Sequence, residues 1–412
     1  MLQVTERAVA RTFLALSLFA SGCAARAGST AGPGGAPSAE FDPQAFYARE
    51  LQPLPKKPVA FEKLSGEAES REAVKVASND HSYEVTIPIG TESPVQCFVY
   101  KGEVDPGGTL HMINGAAAKK VDIRLFRVTD VSLVGDHPLV FLEAQYLTNT
   151  AKGQALGELK SMFYQHPVTP LLCLHDELGY NETFRRITKG FAASLKVANK
   201  DVNPSRFVEI YVDKVGDQLA GFSWHRVLSD KSGRLTFRAR STTFVPRSES
   251  DLMVQDRAST EVWDAEGRLL EAAYADSEDG ELTMSVALKK VGPQEYAYKG
   301  KTGGKELSGK FKTKTKRGLA TDKIKSKLVV SELFSGKSSE LKTEEYHASL
   351  NPEAPTEVSY KTESGDNRRV RVARGESEAI ATADDKGTLE KVEIPIGGTS
   401  LSRERILVRG SP

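Results

Sequence analysis

The densest run of reactive side-chain types in the 412-residue chain is CLHDELGY, Cys173 to Tyr180. Three readings are open to it. A nucleophilic Cys173 needs a base brought to it in space, and a histidine two residues along the chain does not supply that geometry. On a strand, Cys173 and His175 would share a face, as metal ligands do. A structural zinc site needs four ligands, however, and no second pair at zinc-ligand spacing occurs. The third reading makes Cys173 a disulfide partner, His175 a surface or hydrogen-bonding residue, and Asp176-Glu177 a turn. The other histidines, His81, His111, His137, His166, His225 and His347, are scattered. The chain lacks His-Glu-x-x-His, Gly-x-Ser-x-Gly and Gly-x-x-x-x-Gly-Lys-Ser, so zinc-protease, nucleophile-elbow and phosphate-loop chemistries have no motif here. A hydrolase using Cys173, His175 or His225 would have to be assembled in space. No cofactor or metal is expected.

The strongest chemical signal is basic. Eleven Lys and Arg residues lie from Lys299 to Lys327, opposed only by Glu306 and Asp322, in a chain of net charge +1. In GKFKTKTKRG every second residue is lysine, so a strand would put Lys310, Lys312, Lys314 and Lys316 on one face and Phe311, Thr313 and Thr315 on the other. Such a face is a solvated outer surface, or shields an edge strand, or meets anionic lipid headgroups or lipopolysaccharide phosphates, where each lysine adds about 1 kcal/mol. Nucleic acid is not an expected partner, since no aromatic residues interleave with the lysines to stack on bases. Three further stretches, SDKSGRL, WDAEGRL and DDKGTL, each set acid and Gly before Leu. Each offers too few carboxylates for calcium, and hairpin turns with Gly at positive φ explain them.

Elements that would position these residues follow from periodicity. A polar, proline-stiffened lead-in runs to about residue 78, with room for one short helix. From 79 to 203 strand-like runs (SYEVTIPI, VQCFVYKGEV, DIRLFRVTDVSLV, PLVFLEAQYLT) precede helical spacing. In NETFRRITKGFAASLKVAN the residues Phe184, Ile187, Phe191 and Leu195 fall on one face, with Asn181 at the N-cap position. A weaker helix is predicted over GQALGELKSMFY. From 204 to 412 strands recur at meander spacing, broken by one helix in GLATDKIKSKLVVSELFSG. The fold class is therefore α+β, a small α+β domain followed by a larger, mostly antiparallel β domain with one packed helix.

The N-terminus carries Arg7 and Arg11, then the apolar run Phe13 to Ala20, then Ala20-Ser21-Gly22-Cys23. The run is of signal-peptide length and too short to span a bilayer. This segment resembles the lipobox of bacterial lipoproteins, with Ala20 where that family most often has Leu. The resemblance implies a signal peptide over 1–22, cleavage before Cys23, acylation of Cys23 as a membrane anchor, and a place in the cell envelope. With Ala24 next, the family rule favours the outer membrane, facing the periplasm. The Ala-, Gly-, Ser- and Pro-rich residues after Cys23 cannot bury a core and read as a tether. In that oxidising compartment Cys97 and Cys173 would form a disulfide closing a loop of ~75 residues.

Asp-x-x-Gly hairpins feeding long strands with one helix, over about Arg206 to Ile406, resemble the open β-roll of periplasmic lipoprotein carriers such as LolA and LolB. The resemblance implies a curved sheet with an apolar cavity on its concave face. The expected function is non-catalytic: binding an amphiphilic or hydrophobic molecule, or an envelope protein, at the membrane surface. The alternatives are an envelope hydrolase with a spatially assembled histidine site, or an assembly scaffold whose strand edges recruit partners.

Overall fold

The structure is a computed structural model that describes residues 47–410 apart from 63, 103, 119–120, 151–152, 167, 198–204, 231–232, 364–365 and 397. The expected signal peptide, Cys23 and the Ala-, Gly-, Ser- and Pro-rich stretch that follows it lie outside the described residues. No helix among those residues is long and apolar enough to cross a membrane.

The N-terminal body contains β1 (Lys56–Ala60), β2 (Leu64–Glu69), β3 (Lys75–Ser78), β4 (Ser82–Ile87), β5 (Val95–Tyr100), α1 (Pro106–Ala118), β6 (Asp122–Val134), β7 (His137–Thr150), β8 (Gly153–Tyr164), β9 (Leu171–Asp176), α2 (Asn181–Ser194) and β10 (Lys196–Val197). The C-terminal body continues with β11 (Phe207–Val215), β12 (Gln218–Ser229), β13 (Leu235–Ser248), β14 (Asp251–Trp263), β15 (Leu269–Glu278), β16 (Glu281–Lys290), β17 (Glu295–Thr302) and β18 (Lys305–Lys312). Then come α3 (Asp322–Leu328), which runs into a π-helical turn at Val329–Phe334, and β19 (Glu340–Glu345), β20 (Thr356–Glu363), β21 (Asp366–Arg374), β22 (Ser377–Ala383), β23 (Leu389–Ile396) and β24 (Thr399–Gly410).

The first body is a seven-stranded sheet in the order β3-β4-β5-β9-β8-β7-β6, beside a small sheet β1-β2-β10. One face packs on α2 and the small sheet, burying Phe184, Ile187 and Phe191 against Val85, Val95, Met162 and Leu171. Each such fully buried side chain contributes about 1.5–3 kcal/mol. The second body is one antiparallel sheet of fourteen strands, β18 back through β11, then β24 back through β19. The C-terminal strand therefore closes on the first strand of its own body. The sheet curls until its edge strands face each other: Phe311 stacks on Tyr346 at 5.7 Å, and Ala320 N–H donates to Glu344 O at 2.8 Å. Helix α3 lies across one end, held by Thr321 Oγ1 donating to Gly267 O (2.6 Å) and Lys323 Nζ donating to Ala265 O (3.0 Å).

A single apolar layer joins the bodies. Val140, Leu142, Phe163 and Leu172 of the first sheet and Leu110 and Ile113 of α1 meet Ile210, Phe222, Trp224 and Val254 on the convex face of the second. The seven-stranded sheet is thus covered on both faces.

That double covering corrects one expectation. GQALGELKSMFY is strand β8, not a helix. A strand buried on both faces loses its alternation, and apolar residues at both parities mimic helical spacing. The lead-in is also more ordered than expected: β1, β2 and β3 lie within residues assigned to a 23–78 tether, so the first domain begins before 79. Val59 and Ala68 alternate into its core, a signal too short to stand out in a proline-rich stretch. Helix α2 is present, but its N-cap is Tyr180 in the left-handed region, without a side-chain cap. The Glu50 carboxylate caps it from outside, accepting from Glu182 N–H at 2.9 Å and Thr183 N–H at 2.7 Å. Helix α1 was not anticipated, although Asp105 before Pro106 is an N-terminal signature: its Oδ1 accepts from Gly107 N–H at 3.1 Å.

Candidate functional site

The period-2 rule assigns the concave face of the curled sheet residue by residue. Direct cross-strand partners share a face, and the register runs Ser223–Ser241–Arg257–Asp276–Met284 across β12 to β16, then His225–Ala239–Ser259–Tyr274–Val286 one pleat along. Small side chains dominate the middle of these rows. Ser223, Ala239, Ser241 and Ser259 leave a half-open cavity of about 290 Å³, bordered on other sides by Tyr346, His347 and Arg403.

Five polar groups on this wall each face a carboxylate. His225 Nδ1 lies 3.2 Å from Glu209 Oε2, which leaves Nε2 for a ligand. Against a carboxylate the ring nitrogen has only a donor role. His347 Nε2 lies 3.1 Å from Glu345 Oε2. Glu345 also accepts from Thr343 Oγ1 (2.9 Å) and Lys325 Nζ (3.3 Å) and from the Tyr360 hydroxyl. Burial alone would raise the Glu345 carboxyl, but Lys325 and His347 hold it far below the usual carboxylate range. Burial lowers His347 despite Glu345 beside it. Tyr274 donates to Glu261 Oε1 at 3.0 Å, and Trp263 Nε1–H to Oε2 at 2.7 Å. Burial and the charge of Asp322 push Glu261 up to about 6. Arg403 makes a two-point contact with Asp213, Nε to Oδ1 at 2.8 Å and Nη2 to Oδ2 at 3.0 Å, while Ser223 Oγ donates to Oδ2 at 3.0 Å. Arg257 stands 3.8 Å from Asp276.

Arg257 and Arg403 offer N–H donors to the cavity and Asp276 also lines it, while the two imidazoles and the Tyr274 hydroxyl donate to the carboxylates behind them. The guanidinium groups suit a ligand with acceptor oxygens, while Met284, Tyr346 and Ala348 provide an apolar wall. No Ser, Thr or Cys side chain is hydrogen-bonded to His225 or His347 among the described residues. The wall therefore lacks the nucleophile–base pair that acyl transfer requires. Among the described residues no three His, Cys, Asp or Glu side chains are placed to hold a metal ion.

The residues singled out from sequence fall in different places. Cys97 and Cys173 are disulfide-bonded across paired strands β5 and β9 and fully buried. Cys173 is therefore no nucleophile. His175 is 1% exposed, donates from Nε2 to Ser93 O at 3.2 Å, and lies in the other body from the cavity. Burial, with the nearby Lys160 charge, lowers it to about 3. Of the hydrolase candidates Cys173, His175 and His225, only His225 reaches the cavity. Lys310 and Lys312 stand on the convex face of β18, which ends at Lys312, so Lys314 and Lys316 do not continue the row. Thr313 turns inward instead, and Thr315 N–H donates to Glu344 Oε2 at 2.8 Å, carrying the chain across to the opposite edge. The cavity expected to be apolar is mixed, with the Arg257–Asp276 and Arg403–Asp213 pairs beside its apolar side chains. Sequence reasoning missed Glu209, Asp213, Arg403, His347 and Tyr274. A signal existed: in FVEIYVD the polar Glu209 and Asp213 alternate with Val208, Ile210 and Val212, the pattern of a strand with an apolar face and a buried polar one.

No family model matches the chain, and no curated protein matches it. Among solved structures, a beta-barrel-like protein of domain of unknown function DUF1849 from Brucella abortus is similar over 50% of this chain and 98% of its own, at 14% identity and a TM-score of 0.38.

Proposed function

We propose that the protein is an envelope lipoprotein, anchored through Cys23, that binds without catalysis a small amphiphilic molecule carrying an acceptor-rich anionic head. The cavity wall that sets Arg257 and Arg403 beside Met284 and Tyr346 carries this reading. The ligand's head would meet Arg403, already oriented by Asp213, and its apolar part would lie against Met284 and Tyr346. The lipid-carrier resemblance supports the site's position on a concave sheet. The ionised wall shifts the ligand from a wholly apolar lipid to an amphiphile, since an unpaired charge facing an acyl chain alone would be costly.

Titration with anilinonaphthalene sulfonate, an aromatic sulfonate of suitable size, tests the site. Saturable one-to-one binding that is lost at least ten-fold in A239L/S259L, which fills the cavity, is expected. Binding unchanged by that pair of substitutions would overturn the assignment.

A further inference from the structure

The convex face of strands β16 to β18 carries a charge that the cavity does not use. From Lys289 to Arg317 there are ten Lys and Arg residues and two Glu, against a net charge of +1 for the whole chain. Pairing of Ala297 with both Lys310 and Lys289 sets those two lysines in one convex row, and Lys299, Lys301 and Lys312 share the face by the two-residue period. Between them stand Ala287, Ala297, Ser285 and Ser308, so the face is flat and small between the charges. All five lysines are exposed. Lys289 has Glu271 at 3.2 Å and Lys310 has Glu295 at 3.7 Å. Among the described residues, Lys299, Lys301 and Lys312 have no ion pair. The same row continues through Glu271 and Val262 into an open groove of about 510 Å³, where Arg234 and Lys290 stand beside Leu270 and Pro293.

Edge protection does not account for this face. Lysines that guard an edge need occupy only the edge strand. Here they extend over β17 and β16, which are paired on both sides. Nor does the composition suit a partner with fixed carboxylate positions, for which the planar guanidinium is the better ligand. Lysines on long stems over a flat, small-residue floor suit a diffuse anionic plane.

We infer that this face docks on an anionic lipid bilayer, with the groove of Arg234 and Lys290 receiving a phosphate headgroup. The contact would orient the curled sheet against the membrane and is independent of both the cavity ligand and the Cys23 anchor. At a fully extended 3.3–3.6 Å per residue, the residues between Cys23 and Tyr47 reach roughly 80 Å, so an anchored chain has room to turn this face to the bilayer.

The test uses the chain from residue 23 onward with Cys23→Ala, which retains every described residue and removes the anchor. Its partition is measured on vesicles of phosphatidylcholine alone and on vesicles in which a third of the lipid is phosphatidylglycerol. Binding to the anionic vesicles only, abolished by high salt, is expected. K299E/K310E/K312E should weaken it roughly hundred-fold, at about five-fold per lysine lost, while the equal charge change K56E/K75E/K386E should cost less than about three-fold. K299Q/K310Q/K312Q reads the same face if the reversals impair folding. Equal partition on both vesicles, or an equal loss in the two triple reversals, would overturn the inference.

Discussion

At the scale of single residues, the concave face of the second body is built on buried carboxylates whose partners are spread along the chain. Glu345 accepts from Thr343, Lys325, His347 and Tyr360. Removing it leaves the Thr343 and Tyr360 hydroxyls without their acceptor and Lys325 with Asp322 alone, so E345A is expected to cost about 2–3 kcal/mol in urea unfolding. A loss below about 1 kcal/mol would show that the network does not form. Glu261 offers a second check. Its folded-state value of about 6 stands above the ordinary 4.5, so the folded protein holds a proton that the unfolded chain releases first. This contribution to stability is present below 4.5 and lost as pH rises through 6, about 2 kcal/mol in all. A carboxyl-carbon NMR titration of Glu261 should show a midpoint near 6; one at or below 4.5 would contradict the enclosed environment. These partnerships were only half legible in the sequence. Alternation in FVEIYVD marks Glu209 and Asp213 as facing inward, but nothing local pairs Asp213 with Arg403, 190 residues away.

At the scale of elements, the parts with local signals were readable. Helix α2 shows its apolar spacing, and α3 has Thr321 as its cap, with Oγ1 accepting from the Ile324 N–H. The three Asp-Gly stretches are one turn used three times. Gly233, Gly267 and Gly387 all have positive φ, and Asp230, Asp264 and Asp384 each accept, at Oδ1, the N–H of the residue four along. Only glycine adopts that conformation at little cost. What was unreadable is β8, because its burial depends on two partners remote in the chain. The first body also holds buried neutral imidazoles. Burial, with the Arg226 charge, lowers His166 to about 4, and His175 is lowered to about 3, from 6.5. The unfolded chain therefore takes up protons below 6.5 that the folded body refuses, and stability falls as pH drops from 6.5 towards 4 and 3. Each such group costs about 1.4 kcal/mol per pH unit. H175Q keeps a donor for Ser93 O and removes the titration. Its stability relative to the parent should rise by that amount per unit below 6.5, and a pH-independent difference would refute a neutral buried His175. The Cys97–Cys173 bond, spanning 76 residues, should contribute about 4 kcal/mol by loop closure; C97A/C173A measures it in chemical denaturation.

At the scale of the whole molecule, the two bodies are tied by apolar contact and by backbone. Phe126 N–H donates to Glu249 O at 2.8 Å across the joint, and Arg226 Nη2 donates to Asp136 O at 3.0 Å beneath Trp224. An apolar joint of this kind resists relative motion of domains. The protein is expected to unfold in one calorimetric transition, and W224A, which empties the joint at a cost of about 3–5 kcal/mol, should split it into two. Two transitions in the unaltered protein would show that the bodies are independent. Such a joint leaves the concave face and the lysine face open on the same sheet, so the proposed ligand and the proposed membrane contact would not exclude each other.

The central claim is that the cavity of about 290 Å³ between β12–β16 and Arg403 holds an amphiphile. Native mass spectrometry of the chain isolated from its native source without detergent tests it most directly. A stoichiometric added mass, extractable into organic solvent and missing from A239L/S259L, is the expected result. A clean apo mass for the unaltered protein, with the Cys97–Cys173 bond intact, would contradict it.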